Sequence, residues 1–216
     1  MLEINKNKGS FLAILMVCLF IFTFNKCSDN KVQQNNMTCL ERAKFGNPDS
    51  SEYVLPFPVG KRYVCSQSYC NPNGGHSNQL AYDFALQIGD TVVASRTGVV
   101  KELRENQPDN NDNTSSNLYN YLMIEHDDGT VAFYAHLKQN SVIVQVGDKV
   151  NKGNFIALSG NSGYTANFPH LHFGVYEGYP PVETFDVPVN FKNADGPLDE
   201  NNGLIADQWY EAKNSD

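Results

Sequence analysis

The chain lacks any excess of basic residues: 16 Lys and Arg stand against 24 Asp and Glu, a formal net charge of -8. Nucleic-acid binding draws on a basic patch, so that class is set aside, and charge gives no reason to adhere to anionic lipid. No apolar run reaches the roughly 18 residues that mark a membrane span; Phe11 to Phe24 stops at 14. There is no His-Glu-x-x-His helix to place a glutamate base beside a metal. Ser162 lacks the Gly-x-Ser-x-Gly frame of a serine nucleophile, and the cysteines lack C-x2-C spacing. No stretch carries a long helical period, and turn residues recur throughout. The expected fold is mainly β, an antiparallel twisted sheet or sandwich of short strands.

The N-terminus has the form of a targeting segment. Lys6 and Lys8 precede the apolar run, whose length fits a secretory signal over residues 1–26. Cys27, followed by Ser28-Asp29-Asn30, resembles the lipidated cysteine of a bacterial lipoprotein, with Phe24-Asn25-Lys26 where a small residue is usual. A lipid anchor at Cys27, a soluble exported chain and an uncleaved anchor all stay open. Each places the protein in the cell envelope (the periplasm, free or lipid-anchored) or outside the cell. In an oxidising compartment Cys65 and Cys70 could close a small disulfide, leaving Cys39 over. Residues 27–50, polar and without period, read as a flexible tether. Residues 51–192 read as the folded domain, and 193–216 as an acidic, polar tail to which no chemistry is assigned.

Within the domain the alternation is informative. Leu80, Tyr82, Phe84 and Leu86 share one face of a strand, and Ala81, Asp83 and Ala85 the other. A carboxylate between two alanines points into open space or simply into solvent. Asp128-Gly129 marks a hairpin between 119–125 and 130–137. Strict alternation then puts Ala132, Tyr134 and His136 on one face, with Phe133, Ala135 and Leu137 on the other. Ile88-Gly89-Asp90-Thr91-Val92 and Val146-Gly147-Asp148-Lys149-Val150 form a short internal repeat, which suggests a pseudo-symmetric sheet assembly. Val187 to Phe191 reads as a further strand, and 105–117, without an apolar residue, as a surface insertion.

Phe168-Pro169-His170-Leu171-His172-Phe173 is the stretch with most chemical content. On a strand, His170 and His172 point to the same side while Leu171 and Phe173 anchor in a core. Two imidazoles side by side suit a metal, or one ligand beside one acid/base group. With His76, Asp83 and His136 they supply two histidines and a carboxylate for a metal, and further histidines for proton transfer. His126, just before the hairpin turn, reads as structural or surface.

In chain order, His76-(x6)-Asp83-Phe84, Tyr134-Ala135-His136-Leu137 and Pro169-His170-Leu171-His172-Phe173 resemble the M23 metallopeptidases, the lysostaphin-like and LytM-like peptidoglycan endopeptidases. Supporting segments are Val93 to Val100, Val146 to Val150 and Gly160-Asn161-Ser162-Gly163. The resemblance implies one Zn²⁺ per chain held by His76, Asp83 and His172. It implies His136 and His170 as the catalytic pair that handles protons, and a peptide of cell-wall peptidoglycan as substrate. It implies no nucleic-acid partner, and a membrane contact only through an anchor at Cys27. Many members separate the first two ligands by three residues; here there are six, as in related exported members. A catalytically silent member that binds wall or activates another hydrolase is the alternative. It is disfavoured because no ligand position is lost. The sequence sets neither the bond cleaved nor the oligomeric state.

Overall fold

The computed structural model describes residues 37–110, 118–179 and 185–215. The signal and Cys27 readings, and most of the insertion, fall outside them. Eleven strands are named: β1 Arg62–Gln67, β2 Tyr82–Phe84, β3 Thr91–Val93, β4 Gly98–Arg104, β5 Tyr121–Glu125, β6 Thr130–Ala135, β7 Lys149–Val150, β8 Phe155–Leu158, β9 Leu171–Glu177, β10 Ala194–Asp195 and β11 Gln208–Ala212. Nine form one sheet in the order β10-β11-β1-β2-β9-β6-β5-β4-β7, and β3 pairs with β8 in a second. The pairings are antiparallel, so the fold is mainly antiparallel β as expected.

One face of the large sheet makes the core. Tyr82, Phe84, Tyr134, Phe173 and Tyr210 lie fully buried there, joined by Val92, Ile156 and Ala157 of the small sheet. The other face carries Asp83, Phe133, Ala135 and His172, with a smaller aromatic cluster of Tyr121, Phe133 and Tyr176. Burial of each large side chain contributes about 1.5–3 kcal/mol, so the two faces are not interchangeable. A one-residue slip of β9 would turn both histidines into the core.

The internal repeat is built as a repeated turn. Gly89 and Gly147 both adopt φ +95°, the left-handed backbone a glycine takes without strain. In each, the aspartate side chain accepts from the backbone N–H three residues earlier, Gln87 or Gln145, at 2.8 Å. Each turn then docks by a reciprocal pair of backbone bonds, Gly89 and Asp90 with Ser159, Gly147 and Asp148 with Val100. Asn151 to Asn154 makes a third such turn, with asparagine in the acceptor role and Gly153 at φ +82°.

Four features differ from the sequence reading. The described end of the tether is folded. Thr38 and Glu41 form a reciprocal capping box on helix α1, Cys39–Arg42, and Pro48–Ser50 adds a 3-10 turn. Ala43 and Phe45 enter the core. Polar composition hid this because the segment is held by specific bonds more than by apolar area. Cys39 bonds Cys70, across 31 residues, and Cys65 is the free, buried cysteine. Cys65 points into the core from β1, which removes it from reach of Cys70. The C-terminal tail is part of the sheet: β11 pairs with β1, and the Tyr210 hydroxyl donates to Pro197 O at 2.6 Å. Val187 to Phe191 is not a strand; next to the Asp186–Tyr176 bridge, Val187 N–H donates to Val175 O at 2.7 Å, and the buried Phe191 packs its ring on Tyr82, Phe84 and Phe173 of the sheet.

Arg42 is buried and donates to Asp186, also buried, and to the Asn78 carbonyl at 2.8 Å. Asp186 in turn accepts from Leu80 N–H at 2.6 Å. Arg42→Met leaves that carboxylate buried and unpaired, and is expected to cost about 3–5 kcal/mol in urea unfolding. Arg42→Met/Asp186→Asn should recover much of the loss.

His126 is buried, donates from Nδ1 to Thr97 O at 3.0 Å and meets the Tyr53 ring edge-on. Its Nε2 has no partner among the described residues. Burial pushes its pKa below 6.5, with Arg96 adding to the shift and Thr97, Asp127 and Asp128 opposing it. The unfolded chain therefore takes up a proton that the folded chain refuses. Stability contributed by neutral His126 is fully present above its ordinary pKa of about 6.5 and falls as pH drops below it. Urea midpoints between pH 8 and 5 should fall less steeply in His126→Gln than in the parent; equal slopes would contradict this account.

Candidate metal centre

Three elements of the polar sheet face supply the site. Asp83 on β2 and His172 on β9 are direct cross-strand partners. His76 comes from the loop between β1 and β2, which folds back over them. His76 Nε2, Asp83 Oδ1 and His172 Nδ1 form a triangle with sides of 3.0, 3.1 and 3.2 Å. These residues are the metal-compatible group of histidine and carboxylate side chains found among the described residues.

The chemistry of the donors fits a cation. His76 Nδ1 faces the Ser68 carbonyl at 3.3 Å; a carbonyl only accepts, so Nδ1 carries the proton and Nε2 turns a lone pair to the site. That lone pair meets a carboxylate oxygen and another imidazole nitrogen. Three electron-rich atoms this close repel unless a proton or metal ion sits among them. Tetrahedral zinc with ligands at about 2.0–2.1 Å separates its donors by about 3.3 Å, close to the sides observed.

Electrostatics point the same way. Burial alone would raise the Asp83 pKa, but hydrogen bonds and charge from His172 and His76 outweigh it and hold the carboxyl well below the usual range. Burial lowers His172, against the pull of Asp83. The site is a desolvated pocket built around a carboxylate.

His136 and His170 stand beside the triangle, their rings 4.6 Å apart between centroids. His170 Nε2 lies 3.8 Å from Asp83 Oδ2. Each presents Nε2 because a backbone carbonyl holds its Nδ1 at 2.8 Å: Ser162 O for His136, Phe168 O for His170. Burial, then the neighbouring His170, push the pKa of His136 down to about 3, against the Ser162 carbonyl. The structure thus brings all five predicted site residues to one cavity of about 380 Å³, which Ser66, Gln67, Tyr164 and Phe168 also line.

His136 reaches the cavity by a route that alternation does not give. Ala132 and Tyr134 face the core, so strict period-2 geometry would bury His136 with them. Its backbone instead takes φ +60°, rare for a residue with a side chain. That turn moves the imidazole to the Phe133 and Ala135 face and returns Leu137 to the core. The Gly160 N–H donated to His136 O at 3.0 Å and the Ser162 carbonyl hold it there.

Sequence reasoning missed the second tier of the site. Gln67 donates to Asp83 Oδ2 at 2.7 Å, and the carbonyls of Ser68, Ser162 and Phe168 set the imidazoles. Only the Gly74-Gly75 pair hinted at something packed against that loop. Cys65 is buried with its thiol pKa pushed up by burial and by Asp83, and Cys70 is in the disulfide. Neither can supply a thiolate to the cavity.

Comparison with known proteins gives consistent relatives. The family model described as Peptidase family M23 matches residues 77–184, beginning one residue after His76. A Vibrio cholerae protein named Peptidoglycan DD-endopeptidase ShyA is 38% identical over 169 residues, covering 74% of this chain and 34% of its own length. A Buchnera aphidicola protein named Uncharacterized metalloprotease is 34% identical over 133 residues, 59% of this chain and 32% of that one. The chain thus spans about a third of the length of the curated relatives it matches. Among solved structures, LytU is 28% identical, covers 63% of this chain and 80% of that chain, and has a TM-score of 0.42. A zinc-containing peptidase from Vibrio cholerae is 26% identical, covers 63% of this chain and 39% of that chain, and has a TM-score of 0.41.

Proposed function

The chain belongs to peptidase family M23, and from that premise we propose that it is a zinc endopeptidase acting on peptide bonds of bacterial peptidoglycan. The observation that carries the reading is the triangle of His76, Asp83 and His172 with two oriented histidines, His136 and His170, beside it. The relatives named as peptidoglycan DD-endopeptidases support the substrate class and favour a bond between two D-centres.

Zinc bound at His76, Asp83 and His172 would supply a Lewis acid that polarises the scissile carbonyl and acidifies a water. The protein's own residues do the rest. His136, neutral at ordinary pH, offers Nε2 to take a proton from the attacking water. Its lowered pKa makes it a ready donor once protonated, so the proton passes on to the leaving amine. His170, 4.6 Å away between ring centroids, turns Nε2 toward the same cavity and is the second group that handles protons there. The Ser162 and Phe168 carbonyls prevent either ring from turning its other nitrogen inward. An exported or lipid-anchored chain, as residues 1–27 suggest, would meet this polymer in the envelope.

The test pairs metal content with hydrolysis of purified peptidoglycan, with and without chelator. Parent protein should hold about one zinc and lose cleavage on chelation. His172→Ala should lose both zinc and activity. His136→Ala and His170→Ala should keep zinc and lose about 10²–10⁴-fold in rate. Full zinc with no cleavage of any wall preparation would overturn the enzymatic reading.

A further inference from the structure

The metal triangle is rigid only if its carboxylate and its loop are held together. We propose that Gln67 is the positioning residue that does this, a role that rests on the zinc reading above. Its amide fixes Asp83 as a one-oxygen ligand and, with the same group, fixes the loop that presents His76.

The two hydrogen bonds define the amide unambiguously. Gln67 Oε1 accepts from Gly75 N–H at 2.8 Å, so Nε2 must face Asp83, and it donates to Oδ2 at 2.7 Å. Oδ2 is the oxygen outside the triangle; Oδ1 is the one inside it. Occupying Oδ2 holds the carboxylate plane and disfavours a swing that would offer both oxygens to the metal. Gly75 is the residue directly before His76, so the same amide sets where the His76 backbone begins.

The backbone is shaped to admit this side chain. Gln67 pairs with Asp83 across a register shift in β1 that lies between Cys65 and Gln67. A Cβ on Gly74 would fall 1.8 Å from Gln67 Oε1 and 2.8 Å from Asn71 Nδ2, an overlap no contact tolerates. Gly74 has no positive φ to explain it; the requirement is space for the amide. The six-residue gap between His76 and Asp83 makes a longer, softer loop than a three-residue gap would. The Gln67 bridge supplies the restraint that the shorter spacing would give by chain connectivity.

The experiment measures zinc dissociation constants by competition with a chromophoric chelator, and the visible spectrum of the cobalt-substituted protein. Parent, Gln67→Leu, Gln67→Glu and Gly74→Ala are compared, with melting of each metal-free protein as the folding check. Gln67→Leu removes both bonds; Gln67→Glu sets a carboxylate against Asp83; Gly74→Ala keeps Gln67 but displaces its amide. Zinc binding weaker by about 10–100-fold in all three is expected, with weaker cobalt bands as Asp83 turns toward two-oxygen binding and raises the ligand count. A folded Gln67→Leu or Gly74→Ala protein with zinc affinity within twofold of the parent and an unchanged cobalt spectrum would overturn the proposal while leaving the zinc reading intact. A parent protein that binds no metal would overturn both.

Discussion

A carboxylate buried in the middle of a sheet is the constraint from which most of this structure follows. Asp83 sits on β2 between two fully buried aromatic residues and is itself only 7% exposed. An isolated charge there would be prohibitively costly; buried charges persist when paired and hydrogen-bonded. Both Asp83 oxygens therefore have polar neighbours: His76 and His172 at Oδ1, Gln67 and the more distant His170 at Oδ2. The loop carrying His76 cannot leave without removing one of those neighbours. The folding problem and the ligand-assembly problem are thus solved by one set of bonds.

That coupling explains why residues far from the cavity in sequence are built into its support. The loop from Ser68 to Gln79 has almost no apolar content to bury, so packing alone cannot fix it. It is tied at Cys70 by the disulfide to Cys39, at Asn78 by Arg42, and at Gly75 by Gln67. The first two ties come from the segment N-terminal to the residues that the family model covers. A disulfide closing about 30 residues contributes about 3–4 kcal/mol by the chain-entropy model, similar in size to the expected cost of removing Arg42 alone. The helix that supplies both is one turn long and would be marginal alone; its capping box and its two cross-links make it persist.

The parts of the fold written in apolar period were legible. Leu80 to Leu86 and Leu171 to Val175 alternate, and the alternation assigned Asp83 and His172 to one face because their neighbours are too large to be anywhere but the core. The Gly-Asp repeat was legible as a repeat but suggested a symmetric sheet; it is instead a local turn, a left-handed glycine with a side-chain acceptor beside it. What stayed hidden was non-local or non-periodic. Cysteine pairing depends on where chain ends meet, and five-residue proximity misdirected it to Cys65. The strand Gln208–Ala212 was masked by charged neighbours, although its pairing with β1 needs only backbone and one buried tyrosine. Gln67 is silent in sequence, since a glutamine near a strand end is ordinarily a solvated residue.

His136 shows most clearly why a site escapes the rule that builds its scaffold. If β6 had continued in register, His136 would lie under the sheet with Tyr134, and Leu137 would face the cavity. Placing a histidine at φ +60° costs on the order of 1–3 kcal/mol, and the strand ends there because of it. The cost is offset by bonds that a regular strand would not make: Ser162 O on the imidazole, Gly160 N–H on the His136 carbonyl, and Ser162 Oγ donated to Leu137 O at 2.8 Å. All three come from the Gly160-Asn161-Ser162-Gly163 turn. Gly163 answers to its own φ of +80° and Asn161 to Asn110, but Gly160 serves the histidine: a Cβ there would fall 2.4 Å from Lys138 N, so only glycine lets this backbone come close enough to hold His136 on the face where the sheet's own period would not put it.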